Sequence, residues 1–229
     1  MENDDKKMTK ISIVFEGREK VSSEKKKFIA DMKELYQILF DARCSYEAWW
    51  ICVAGEHRKK YWLLYFCYRD FFHYSAYSYL ANMIVSLYKL YDSTQENSLS
   101  ILNFINIGAR SNLISRDSLK ELRESKKEAL KIWKKIKVIR NSLIAHQCNR
   151  MTRSGIYKLA KITPNQMKEL TNLSLLILNK ISVSLGQKKR FFDGLITEDM
   201  IKILTLLKRH TLIKKNVPGT VLNNSTTSK

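Results

Sequence analysis

Residues 117–147 read DSLKELRESKKEALKIWKKIKVIRNSLIAHQ, and this stretch decides the fold. Ile132, Ile136, Ile139 and Leu143 recur at spacings of three and four. At about 100° per residue they line up as one apolar stripe on a helix. Lys and Arg crowd the other faces, and no proline interrupts the run. A long helix with one such stripe has to bury it against other helices. Asp117 or Ser118 is placed to cap its start.

The same period appears on either side. Upstream, Phe28, Met32, Leu35, Leu39 and Ala42 mark a helix over about 23–54, capped by Ser22 or Ser23 and ended by Gly55. Residues 57–91 read as a second long helix, dense in aromatics such as Trp62, Phe66, Phe71, Phe72 and Tyr88. Apolar residues on several of its faces point to a core or a subunit interface; rings among basic residues also suit stacking on bases. A short helix follows Ser98 through Ile105, Gly108 to Ser115 reads as a loop, and so does 148–163. Thr163 then caps, and Pro164 opens, a helix to about 185, and an amphipathic helix covers 197–209. Residues 1–22 read as an N-terminal arm, with Lys10 to Phe15 a short strand or extended piece, and 210–229 as a disordered tail. The expected fold is all-α, an up-and-down bundle of about four main helices over 23–209 with a short C-terminal helix. With 7 Gly and 2 Pro in 229 residues, the turn-rich alternative of an all-β fold is excluded.

Lys and Arg number 41 against 22 Asp and Glu, a formal charge of +19. That excess favours polyanionic partners, of which RNA, DNA and anionic lipid are the candidates. The most apolar stretch, 71–91, carries His73, Asn82 and Lys89, so no membrane span is expected. The acidic start, Met1-Glu2-Asn3-Asp4-Asp5, does not resemble a secretory leader, and a cytoplasmic location with reduced thiols is expected. Cys44, Cys52, Cys67 and Cys148 lack zinc-ribbon or redox-pair spacing, so neither a metal nor a cofactor is expected.

One constellation carries chemistry. Arg140 and His146 flank the apolar stripe, about 120° apart on a regular helix. They meet only if the arginine curls round, the helix kinks, or a second copy of the chain brings its own pair across a two-fold axis. Histidine titrates near neutrality and can move a proton to or from an RNA oxygen. Arginine grips phosphate through paired N–H groups. A histidine at a helix end also serves as a cap, and an arginine on a basic helix as solvated charge. Spacing alone leaves both readings open. Along the same helix Lys127, Lys131, Lys134 and Lys137 offer contacts to an RNA backbone, countered only by Glu121, Glu124 and Glu128 between Lys120 and Arg140.

The string Arg140-Asn141-Ser142-Leu143-Ile144-Ala145-His146 resembles the Arg-x(4–6)-His signature of the HEPN superfamily (higher eukaryotes and prokaryotes nucleotide-binding). Phe71-Phe72, Leu87 to Asp92, Ser98 to Leu102 and Ile162-Thr163-Pro164 are similar to its abortive-infection, U-type branch, and the likeness spans about 25–185. The resemblance implies a helical bundle, a homodimer with a composite active site, and metal-independent endoribonuclease activity in a toxin or phage-defence setting. It implies Arg140 at the scissile phosphate, His146 as general acid or base, and Asn141 assisting. Asp92 falls at the family's recurrent acidic position, and His73 is a second supporting candidate. A toxin role implies an antitoxin protein as partner. The alternative is a non-catalytic HEPN module that binds RNA or a partner protein.

Overall fold

The computed structural model describes the backbone of residues 2–94, 98–145, 153–192 and 195–216, and side chains over 23–94, 98–142, 155–192 and 196–212. Every regular element among the described residues is helical. In chain order these are α1 (Glu2–Val53), α2 (Gly55–Lys60), α3 (Trp62–Cys67), α4 (Arg69–Tyr91), α5 (Ile101–Arg110) and α6 (Arg116–Ile139). A π-helical turn follows (Arg140–Ala145), then α7 (Arg153–Ala160), α8 (Pro164–Ser184) and α9 (Leu195–Asn216). The chain divides into two compact units, one of Met1–Arg43 with Met83–Phe191 and one of Cys44–Asn82 with Phe192–Lys229.

The first unit is the bundle that the apolar stripes demand. Phe28, Met32, Leu35 and Leu39 of α1 are buried, as are Met83, Ile84, Leu87 and Leu90 of α4. From α6 come Leu122, Ala129, Ile136 and Ile139, and from α8 Met167, Leu170, Ile177 and Ile181. Helices α6 and α8 pack along each other. Side chains close the helix starts: Ser115 Oγ accepts from Ser118 N at 3.1 Å. At α8, Thr163 and Gln166 form a reciprocal capping box, with Pro164 in the first turn. The buried hydroxyls are paired. Ser174 Oγ donates to Leu170 O at 2.7 Å, so the fully buried Tyr91 donates its proton to Ser174 across 2.9 Å. Tyr36 donates to Asn179 Oδ1 at 2.8 Å.

Gly108 is needed for close approach. A Cβ there would meet Ile114 Cδ1 at 2.5 Å and the Phe28 ring at 2.8 Å. The Phe28 and Phe104 rings stack beside it with centroids 3.9 Å apart.

The second unit has its own small core of Ile51, Cys52, Tyr61, Leu64, Phe72 and Leu204. Tyr61 OH lies 3.1 Å from Thr205 Oγ1, and Tyr65 OH donates to Ile51 O at 2.8 Å. Here α3 packs on α9.

Several expectations need correction. Residues 10–15 belong to α1 rather than to a strand or extended arm, since a proline-free run rich in Lys and Glu propagates helix. The aromatic stretch is three helices, broken at Tyr61 and Tyr68; the break at Tyr61 buries that ring. Helix α5 extends through Gly108 to Arg110, and Ser115 caps α6 in place of Asp117 or Ser118. Within the expected 148–163 loop lies α7, held by the buried side chains of Ile156 and Ala160 and by packing on α6. Helix α9 runs on to Asn216, and 217–229 lie outside the described residues.

Candidate active site at the end of helix α6

The regular part of α6 stops at Ile139. Arg140 closes it, its backbone N–H shared between Ile136 O and Lys137 O, and Arg140–Ala145 continue as a π-helical turn. Asn141 and Ser142 follow Arg140, residues whose short polar side chains compete with helical backbone bonds. Such wide turns recur at functional sites.

Two side chains hold the arginine. Its Nη1 donates to Asn141 Oδ1 at 3.1 Å. Its guanidinium carbon sits 4.5 Å from the centre of the Tyr88 ring. Tyr88, near the end of α4, stacks in turn on Trp133 with centroids 6.0 Å apart, and Lys137 Nζ lies 5.4 Å from the Trp133 ring. A cation against an aromatic face is attracted to the ring's negative quadrupole, and a planar guanidinium suits that position well. One of the five guanidinium donors is committed to Asn141, which leaves the fork's chemistry suited to a phosphate.

Asp92 enters through Tyr88. Burial pushes the Tyr88 phenol above its ordinary pKa; the neighbouring Asp92 carboxylate pushes the same way, and the Arg140 charge opposes both. The carboxylate also accepts from Thr94 N at 3.2 Å, and Ser98 Oγ donates to Asp92 O at 2.8 Å. Asp92 thus pins the loop after α4 and sets a negative charge beside the ring that carries Arg140. Among the described residues, Trp133 Nε1 is buried without a hydrogen-bond partner.

Of the residues singled out from the sequence, Arg140, Asn141 and Asp92 come together around Tyr88. His146 lies outside the described residues. His73 belongs to the second unit, where it is exposed and lines a cavity with Cys52, Arg58, Tyr65 and Arg69. On α6, Lys127, Lys131 and Lys134 point to solvent from one face, with Lys131 Nζ 2.7 Å from Glu128, while Lys137 is half-buried against Trp133. From the sequence, Tyr88 was one ring of the aromatic stretch and Trp133 a neighbour of Arg140 on the helix, and neither was given a role at the site. The available signals were that Tyr88 stands four residues before Asp92, and that Trp133 stands seven before Arg140 on one helix face. Among the described residues no group of three or more His, Cys, Asp or Glu is placed to hold a metal ion, and no helix is long and apolar enough to cross a membrane.

Helices in this order, with no strand among the described residues, make an all-α domain, and its fold is HEPN-like. The AbiU2 family model (HEPN_AbiU2) matches residues 25–200, most of the chain, and the chain belongs to that family, an abortive-infection HEPN module. No curated protein and no solved structure matches the chain.

Proposed function

We propose that this module is an endoribonuclease that cleaves RNA through attack of the 2′-hydroxyl, as a toxin or phage-defence effector in the cytoplasm. In such a reaction the 2′-oxygen bonds to phosphorus, the bond to the 5′-oxygen breaks, and a 2′,3′-cyclic phosphate and a free 5′-hydroxyl result. The substrate supplies the nucleophile, so a metal ion is not needed. His146 takes the proton from the 2′-hydroxyl or gives one to the leaving oxygen. Arg140 stabilises charge growing on the phosphate, and Asn141 holds its guanidinium. Lys127, Lys131, Lys134 and Lys137 guide the backbone toward it. A homodimer would gather two copies of the motif into one composite site, and an antitoxin protein would keep it silent.

The observation that carries this reading is Arg140 itself, held by Tyr88 and Asn141 at a π-helical turn on a basic helix. The test is RNA cleavage in excess EDTA with analysis of the ends. We expect cyclic phosphate termini, and loss of cutting in His146→Ala and Arg140→Ala with helical content intact. Cutting that survives both substitutions would overturn the assignment. The same intramolecular contacts favour a second reading, a non-catalytic module that binds RNA or a partner protein; salt-sensitive binding without cleavage would establish it.

A further inference from the structure

The segment from α2 to the first turns of α4 exposes rings that a monomeric helical unit would ordinarily hide. Trp62 is 61% exposed, Phe66 76%, Phe71 66% and Tyr74 70%. Trp62 and Phe66 are four apart on α3, and Phe71 and Tyr74 three apart on α4, so each pair shares a helix face. Their neighbours steady them: Phe71 meets Phe72 edge-on at 5.3 Å, and Tyr74 meets His73 at 5.9 Å.

What is exposed is selective. The aliphatic residues of the same helix, Leu63 and Leu64, are buried. Helix α9 in the same unit does the opposite and exposes Ile203, Leu206 and Leu212. Stacking on flat bases needs rings, and rings are what this segment presents, with a net positive charge that a phosphate backbone matches. Cations outnumber carboxylates on this segment: Arg58, Lys59, Lys60 and Arg69 are exposed against Glu56 and Asp70, and Arg69 pairs with Asp70 at 3.8 Å in an exposed bridge that water screens. A second copy docked here across a two-fold axis would face these cations with the same cations, which opposes association. Phe72 and His73, the chain neighbours of Phe71 and Tyr74, help line a cavity of about 460 Å³ with Arg58, Tyr65, Arg69 and Asp70. Its size is that of a small-ligand site, and rings with two arginines against one carboxylate suit one unpaired base with its phosphate.

We propose that the α2–α4 face of the second unit binds single-stranded RNA by stacking, through Trp62, Phe66, Phe71 and Tyr74, with Arg58 and Arg69 on the phosphates. This names the substrate class of the nuclease reading and rests on it only for biological purpose, because binding requires no cleavage.

The test uses the full chain carrying His146→Ala and a short labelled oligouridylate, with affinity followed by anisotropy and the Trp62 signal taken as the fluorescence difference between this chain and the same chain with Trp62→Phe. Quenching is expected on binding. Trp62→Ala and Phe66→Ala should each weaken binding about tenfold, with the salt dependence unchanged. Arg58→Ala and Arg69→Ala should each lower the salt slope by about one. A matched duplex, its bases already stacked, should compete poorly. Circular dichroism of the ring variants should match the parent, as the rings are exposed. Ring variants that bind oligouridylate like the parent would overturn the proposal, as would a duplex that binds equally well. Ring variants that lose self-association in sedimentation, or lose affinity for phosphatidylserine vesicles, while keeping RNA affinity would assign the face to a second copy or to a membrane instead. Ring-dependent binding by a wild-type chain that cuts no RNA would sink the nuclease reading alone, and cutting with ring-independent binding would sink this one alone.

Discussion

The two units use aromatic residues in opposite ways. In the first, Tyr91 is fully buried and its hydroxyl is paired with Ser174, while Tyr36 is buried with its hydroxyl on Asn179. In the second, Trp62, Phe66, Phe71 and Tyr74 present their rings outward. Both sets sit on helices at helical spacing, so periodicity cannot tell them apart. The difference lies in what packs across from each helix, which is a tertiary property. Burial makes the first set a matter of stability, and exposure makes the second a matter of binding.

Substitution separates these roles, and the largest effect belongs to the bundle core. Tyr91→Ala should cost about 3–5 kcal/mol by denaturant midpoint, the scale for deleting a buried ring. Trp62→Ala should stay within about 0.5 kcal/mol. Equal losses at the two positions would break the comparison. Next in size is Gly108→Ala, where the added methyl must displace Ile114 or Phe28; about 1–3 kcal/mol of thermal or chemical stability should be lost. Tyr88 stands between the extremes, half-buried under Arg140. Tyr88→Ala should lower RNA cleavage about tenfold, through loss of a contact worth about 1 kcal/mol, and Tyr88→Phe should retain most activity because the ring face remains. An inactive Phe variant would assign the role to the hydroxyl and Asp92 instead.

The smallest effect concerns the thiols of the second unit. Burial pushes the Cys52 thiol up to about 11 from 9.0, whereas Cys67 is exposed. Iodoacetamide at pH 8 should therefore label Cys67 and spare Cys52, as read by peptide mass spectrometry. The sign of the pH effect follows. Between 9 and 11 the unfolded thiol gives up its proton while the folded one keeps it, so the contribution is intact below pH 9 and is lost as pH rises through 11. Cys52→Ala should flatten that decline in the stability profile.

The bundle was legible where a signal is local and repeated. Leu35, Leu39 and Ala42 on α1, and Ile136 and Ile139 on α6, are buried as their spacing requires, and Thr163-Pro164 opens α8 as written. Helix α7 was illegible because Arg153-Ser154-Gly155 reads as loop, and only packing of Ile156 and Ala160 makes the segment helical. The breaks at Tyr61 and Tyr68 carry neither proline nor glycine, so nothing in the aromatic run announced them. At the site, Arg140 and Asn141 were legible from a contiguous string. Their ties to Tyr88 and Asp92 join residues about fifty positions apart, and only the packing of α4 near α6 makes them.

The turn that begins at Arg140 holds one residue more per loop than the helix it continues. It works as a phase shifter. Ile136 and Ile139 clamp the angular setting of α6 against the bundle, and Arg140–Ala145 then step away from that setting with the wider repeat of the turn. Gain or loss of a single codon within 140–145 would re-aim the following residues by roughly a quarter turn without disturbing one buried side chain upstream. The direction in which Arg140 and Asn141 leave the α6 stripe is therefore written in a few residues rather than in the whole core.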